Sequence, residues 1–185
     1  MRGTRRARVR LTPLGEPHLG ATLAWVNDPA MMQLLGRRAR VEPDEHRAWF
    51  ARLTERQDCR YFAVEAVDSG RHMGNVWLWD INPVDRKAEV RVLFGDEASR
   101  GHGYGSEAID MLAGIAFHTM GLRRLYAYVF AINAPAKRAF EKAGFRQEGV
   151  LRQDRCVADD SIDVYVLGRL DSDSSAAEHQ PLQGC

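Results

Sequence analysis

The chain has 185 residues, 45% hydrophobic and 28% charged, with 26 Lys and Arg set against 25 Asp and Glu. At about 150 residues per domain this is one domain with room for a tail, long enough to bury a core without disulfides or metals. A net charge of +1 excludes a dedicated nucleic-acid binder and a polybasic membrane anchor, both of which need a basic excess.

Cys59, Cys156 and Cys185 are scattered, with no C-x-x-C spacing, which fits reduced thiols in the cytoplasm. Met1 to Arg10 is arginine-rich, but the apolar run of a signal peptide does not follow it. A membrane span needs about 20 consecutive apolar residues, and the sequence has no such run.

Arg8 to Leu14 alternates as a first strand, ended by Pro13 and Gly15. Leu19, Leu23 and Val26 recur at helical spacing, and Asn27-Asp28-Pro29 breaks that helix and starts another through Met32 and Leu35. Pro43-Asp44-Glu45 opens a third helix, acidic where the dipole favours carboxylates. Tyr61 to Val67, Met73 to Ile81 and Ala88 to Phe94 read as an antiparallel meander joined by Asp68-Ser69-Gly70 and Asn82-Pro83-Val84-Asp85. A long helix through Ile109, Leu112, Ile115 and Met120 ends at Gly121. Leu125 to Phe130 is a strand, Pro135 to Ala143 a helix, and Phe145 to Leu151 and Ile162 to Leu170 the last two strands. Residues 171–185 carry three acidic and no basic side chains, and are expected to be disordered. The order predicts an α/β domain with α+β features, a mixed sheet flanked by helices over residues 8–170, after a basic extension at 1–7.

Arg100-Gly101-His102-Gly103-Tyr104-Gly105-Ser106 lies between a strand and the long helix. Glycines let backbone approach a ligand, and the first helical turn offers unpaired N–H groups and a positive dipole end, a phosphate-binding arrangement. An ordinary glycine-rich connection would look the same. A Walker A loop fails because no lysine follows the glycines. Gly103-Tyr104-Gly105-Ser106-Glu107-Ala108 satisfies G-x-G-x-x-A, yet the following strand has no acidic residue for a ribose hydroxyl.

Arg100-x-x-Gly103-x-Gly105 resembles the acyl-CoA pyrophosphate loop of the GNAT superfamily of N-acetyltransferases. The run from Asn133 through Phe140 and Lys142 to Gly144-Phe145 is similar to the second signature of that family. Glu148-Gly149-Val150-Leu151-Arg152, Gly74-Asn75, Arg86-Lys87-Ala88-Glu89 and Arg10-Leu11-Thr12-Pro13-Leu14 resemble the RimJ/RimL-like branch. The resemblance implies a GNAT-like, mostly antiparallel sheet and acetyl transfer from acetyl-CoA to a primary amine. The acceptor it implies is a protein N-terminus, a polyamine, an amino-sugar nucleotide or an amine antibiotic. It also leaves a homodimer open, and gives no role to nucleic acid or membrane.

By the same resemblance, Arg100, Gly101, His102, Gly103, Tyr104, Gly105 and Ser106 hold the pyrophosphate, with His102 open to being a tolerated loop residue. A bulge in Val92-Leu93-Phe94 would splay that strand and free an N–H for the thioester carbonyl. Asn133, Phe140 and Lys142 complete the cofactor contacts, and Asn133 is equally suited to cap a helix. Many relatives carry Tyr where this chain has Phe140, which cannot donate a proton to the departing thiolate. Either the thiolate then leaves unassisted, or water or Tyr126, Tyr128 or Tyr165 is the donor, or else the chain is a non-catalytic acyl-CoA-binding module.

Alternation sets Ala88, Val90 and Val92 on one face and Glu89, Arg91 and Leu93 on the other, so Glu89 is the candidate base if the apolar face packs on helices. An exposed Glu89 paired with Arg91 or Lys87 is the plain alternative. Trp77, Trp79 and Met31 are candidates for the acceptor wall, although large aromatics more often pack in a core. Glu42, Asp44 and Glu45 form only a modest acidic cluster, less than a polyamine would call for. The six histidines show no metal-ligand spacing, so no metal is expected.

Overall fold

A computed structural model of the chain describes residues 7–53, 55–157 and 160–176. Its strands are β1 (Val9–Pro13), β2 (Arg60–Ala66), β3 (His72–Asn82), β4 (Lys87–Phe94), β5 (Arg124–Phe130), β6 (Arg146–Val157) and β7 (Asp160–Leu170). The helices are α1 (Leu19–Val26), α2 (Pro29–Leu34), α3 (Pro43–Leu53), α4 (Tyr104–Gly114), α5 (Ala134–Lys142) and α6 (Asp171–Ala176). The sheet runs β1-β2-β3-β4-β5-β7-β6, with β4 and β5 its parallel neighbours and the other pairs antiparallel. This is the expected mixed sheet flanked by helices.

Alternation decides which face of the sheet is covered by what. Val76 and Leu78 of β3, Ala88 and Val90 of β4, and Leu125 and Ala127 of β5 form one buried cluster. They pack with Ile109, Leu112 and Ala113 of α4 and with Phe140 of α5. The other face meets α1 and α3. There Asn75 donates to the Thr22 hydroxyl at 2.9 Å, and Trp49 meets Tyr61 edge-on at 5.6 Å.

The last strand pair and the C-terminal segment differ from expectation. Strand β6 continues past Leu151 to Val157 through polar residues, because pairing with β7 satisfies its backbone without burying its side chains. The segment expected to be disordered from Asp171 opens with α6, where Asp173 accepts the Leu170 N–H at 2.9 Å and pairs with Arg146 at 3.3 Å. Residues 177–185, with Cys185, and residues 1–6 of the basic extension lie outside the described residues. Among the described residues, no helix is long and apolar enough to cross a membrane.

The site is made by the way β4 leaves β5. Their parallel pairing ends at Glu89 opposite Tyr126, yet β4 continues to Phe94 and β5 to Phe130. The bulge expected in Val92–Phe94 is not there. Pairing of β4 with β3 is unbroken from Val90 opposite Leu78 to Phe94 opposite Gly74. The irregularity falls instead between Trp79 and Asn82, where Asp80 takes a φ of 52°. Strand β4 keeps β3 as its hydrogen-bonding partner and so parts from β5. Gly74 permits this close pairing, since a Cβ there would come within 2.4 Å of the Leu93 carbonyl oxygen.

Candidate active site

Between the parted strands lies a cleft of about 740 Å³, walled by β4, β5, α5 and the α1–α3 side of the sheet. That volume is in the range of small-ligand sites. Because β4 has no strand partner on this side beyond Glu89, its edge from Val90 to Leu93 forms one wall. Val129, Asn133 and Phe140 face it from the other.

Glu89 lies in the cleft wall, 8% exposed. Arg91 donates to both its oxygens, Nε to Oε1 at 2.7 Å and Nη2 to Oε2 at 2.8 Å. The expected orientation and the expected Arg91 pairing therefore coexist, and the carboxylate is buried rather than solvated. Burial alone would lower the Arg91 pKa, but the Glu89 carboxylate outweighs it and the guanidinium is held above its ordinary value.

Trp77 and Trp79 line the cleft, and the alternating Val76 and Leu78 occupy the core positions. The core reading of these two tryptophans is thereby corrected, because the pleat gives their face to α3 and the cleft. Tyr61 stacks on Trp77 with centroids 5.1 Å apart and planes 11° from parallel, and His46 stacks on Trp49 at 5.0 Å. Trp79 carries the guanidinium of Arg56 at 4.1 Å and that of Arg91 at 5.1 Å. Trp77 Nε1 and His46 Nε2 are buried with no hydrogen-bond partner among the described residues. Burial pushes the His46 pKa down and the Tyr61 hydroxyl up. Met31 is a correction. It is 6% exposed and lies outside the cleft lining, on a helix whose amide start is capped by Asp28.

The glycine loop follows β4 and lies outside the cleft lining. Gly101 and Gly103 take φ values of 78° and 82°, a left-handed backbone that leads directly into the first turn of α4. A Cβ on Gly105 would stand 3.6 Å from the Phe94 ring and 3.7 Å from Ala139, so α4, the end of β4 and α5 converge here. His102 is exposed, and Ser106 Oγ donates back to the Gly103 carbonyl at 2.9 Å.

One device is invisible to motif reading. Arg8 Nε donates to Glu107 Oε2 at 2.9 Å, and the Arg8 and Val9 amides donate to Oε1 at 2.6 and 3.3 Å. Arg8 Nη1 also donates to the His102 carbonyl at 3.0 Å, and its guanidinium lies 4.9 Å from the Tyr104 ring centre. Burial works against the Glu107 carboxylate, but these donors outweigh it and hold its pKa below the ordinary range. The strand that opens the domain is thus tied to the loop. The partners are far apart in sequence, and only the common alternation of β1 hinted at an edge.

Asn133 accepts the Ala136 N–H at 3.1 Å as the cap of α5 while also lining the cleft. Phe140 is 2% exposed, edge-on to Phe145 at 5.1 Å, and forms part of the cleft floor. Lys142 is exposed at the end of α5 and does not line the cleft. Of the tyrosines considered as proton donors, Tyr128 lines the cleft. Tyr126 instead donates to Asp80 Oδ2 at 3.2 Å, with its pKa pushed up to about 12 chiefly by burial, and Tyr165 packs under Lys137. Among the described residues no group of three or more His, Cys, Asp or Glu could hold a metal ion.

The model of the acetyltransferase (GNAT) domain matches residues 8–146. The chain belongs to the GNAT acetyltransferase family. It is 30% identical over 135 residues to "Putative phosphinothricin acetyltransferase YwnH" of Bacillus subtilis, covering 70% of this chain and 78% of that protein. It is 31% identical over 99 residues to "Probable N-acetyltransferase YjcK" of the same organism, which spans 54% of this chain and 55% of that protein. Among solved structures, spermidine N-acetyltransferase from Vibrio cholerae in complex with CoA and spermine superimposes with a TM-score of 0.84 at 23% identity. That match covers 91% of this chain and 98% of the other, a likeness of fold.

Proposed function

We propose that this GNAT chain is an acetyl-CoA-dependent N-acetyltransferase acting on a primary amine, with residues 8–170 as its transferase domain. The observation that carries this is the parting of β4 from β5 beside a helix entered through two left-handed glycines. Within the family we assign the chain to the RimJ/RimL-like branch on Glu148 to Arg152 and Gly74-Asn75, and to the cytoplasm on its scattered thiols, of which Cys59 is buried.

The residues present fit the cofactor. The first amides of α4 have no partner within the helix and suit a pyrophosphate, with Arg100 at the rim. Val92, Leu93, Asn133 and Phe140 line a groove for the pantetheine arm. Bound acetyl-CoA supplies an acetyl thioester, whose carbonyl carbon gains a C–N bond to the amine and loses its C–S bond, the electron pair leaving on sulfur.

The chain must polarise that carbonyl, accept a proton from the amine and return one to sulfur. Backbone N–H groups on the unpartnered edge of Val92–Phe94 act on the carbonyl oxygen, and such fixed donors are worth roughly 2.7–4 kcal/mol in oxyanion sites. An alkyl ammonium has a pKa near ~10.4 and must lose a proton before attack. Glu89, oriented by Arg91, accepts it directly or through a water, and Tyr128 donates to the departing thiolate in place of the hydroxyl that Phe140 lacks.

The test is release of CoA thiol from acetyl-CoA over a panel of primary amines, with the N-acetyl product identified by mass. Release with at least one amine is expected. Tight acetyl-CoA binding with no product on any amine would return the chain to a non-catalytic acyl-CoA-binding module.

A further inference from the structure

The charged residues around the cleft are unevenly balanced. Arg37, Arg52, Arg91 and Arg155 line it among the described residues, against the carboxylates Glu45 and Glu89. The charge of Glu89 is balanced by Arg91, which donates to both its oxygens, so this pair adds no net charge to the cleft. Arg155 leans on Asp154 at 3.4 Å with its side chain 61% exposed, whereas Arg37 and Arg52 have no carboxylate partner among the described residues. With Arg155 and Arg91 each paired, the cleft presents two uncommitted arginines, Arg37 and Arg52, to one uncommitted carboxylate, Glu45.

One buried polar group of the cleft points the same way. The buried Trp77 Nε1 donor has no acceptor. The aromatic wall of Trp49, Tyr61, Trp77 and Trp79 offers apolar area. With Arg37, Arg52 and the Trp77 N–H unpaired against Glu45, the cavity suits a ligand carrying negative charge. A polyamine has the opposite character, with several ammonium groups and no acceptor. Its second and third charges would meet Arg37 and Arg52, and like charges repel. The fold shared with a spermidine acetyltransferase does not carry over its acceptor, because the fold is set by the core face of the sheet and the acceptor by the cleft face.

We infer that the acceptor is a small amine bearing an oxyanion, a carboxylate or its phosphonate or phosphinate equivalent, with Arg37 and Arg52 recognising the anion. The inference rests on the transferase reading above and sharpens it. The reaction is unchanged: the amine nitrogen takes the acetyl group, CoA leaves as the thiol, and the oxyanion is bound without reacting.

The full chain with acetyl-CoA is assayed for CoA release on free α-amino acids and aminophosphonates, on the matching amides and methyl esters, and on spermidine. The free acids are expected to exceed their amides at least 10-fold in kcat/KM, with spermidine below both. Which anion is fastest separates the carboxylate from the phosphonate source. The exposed pair Arg37→Gln and Arg52→Gln is expected to bring the acid-to-amide ratio towards one, with acetyl-CoA affinity by calorimetry unchanged. An amide or spermidine turned over as fast as the best acid would overturn the inference. So would an acid-to-amide ratio that the two substitutions leave unmoved. If no amine releases CoA although acetyl-CoA binds, the transferase reading fails. The anion site is then read separately, from quenching of tryptophan fluorescence by the acids. Quenching lost in the arginine variants supports the site, and quenching equal for acids and amides rejects it.

Discussion

Arg91 grips both carboxylate oxygens of Glu89 from two positions along the same strand, at 2.7 and 2.8 Å. Residues so spaced share a face of the sheet, and here that face is the wall of the cleft. The pair makes Glu89 a fixed acceptor rather than a mobile one, so its contribution can be isolated. Glu89→Gln keeps an oxygen for Arg91 and removes the proton acceptor. It is expected to lower kcat by about 10²-fold, the loss being largest at pH values below the amine pKa. A pH–rate profile identical to wild type would leave Glu89 as a structural partner of Arg91 only.

Tyr128 is the tyrosine of β5 that faces the cleft, 49% exposed, while Tyr126 is committed to Asp80. In Tyr128→Phe the thiolate loses its donor and the aromatic wall is kept. The expected result is a kcat reduced about 10-fold or more with little change in KM for acetyl-CoA. A raised KM at constant kcat would instead make Tyr128 a binding residue.

Asn133 serves as helix cap and cleft wall at once, and two substitutions separate the roles. Asn133→Ala removes the acceptor for the Ala136 amide and is expected to cost about 0.5–2 kcal/mol of stability, read as a lower Tm. Asn133→Asp keeps the cap and should hold the Tm, while placing a negative charge in the cofactor groove and weakening acetyl-CoA binding. Equal affinity in Asn133→Asp and wild type would confine the residue to capping.

Arg8→Ala cuts the tie between β1 and the start of α4 but leaves the amide bonds from Arg8 and Val9 to Glu107. Losing one partner of a charged hydrogen bond costs about 1.5–3 kcal/mol, so a fall in Tm is expected. Because the same guanidinium holds the His102 carbonyl, CoA affinity should fall about 10-fold as well. Calorimetric affinity unchanged beside a lowered Tm would mean that the loop keeps its shape without Arg8.

Burial lowers the pKa of His46, and of His72, below the ordinary 6.5. The unfolded chain then binds more protons than the folded one as pH drops through 6.5, so folding stability declines in that window. Tm is therefore expected to be lower at pH 5.5 than at pH 7.5, with a shallower drop in His46→Phe. The carboxylates of Glu107 and Glu148 are held low, Glu148 chiefly by Arg124, and add a further loss at more acidic pH as they protonate. A pH dependence between 7.5 and 5.5 that His46→Phe leaves unaltered would assign the effect to His72 or to other groups.

The features legible in the sequence were those that depend on near neighbours. Gly101 and Gly103 announce a left-handed turn into α4, and Asn133 followed by Pro135 announces a capped helix, because φ preferences and caps act within a few residues. The alternation of Ala88, Glu89, Val90 and Arg91 likewise assigned faces to β4, since the pleat has a strict period. Periodicity could say that Trp77 and Trp79 share a face but not which face is buried, and it is α4 that claims Val76 and Leu78 and leaves the tryptophans to the cleft. Met31 shows the same limit, its burial being set by how α2 packs.

By itself, then, the sequence determined the order of elements, the glycine loop and the capped helix, since each is written in local chain chemistry. The parting of β4 from β5, the Arg8–Glu107 tie and the gathering of Arg37, Arg52 and Arg155 around one cavity were decided by tertiary structure alone. Those residues come from strands, loops and helices far apart along the chain, and no local preference brings them together. The near-zero net charge is a sum over the whole sequence, whereas a ligand meets only the side chains that folding places around it.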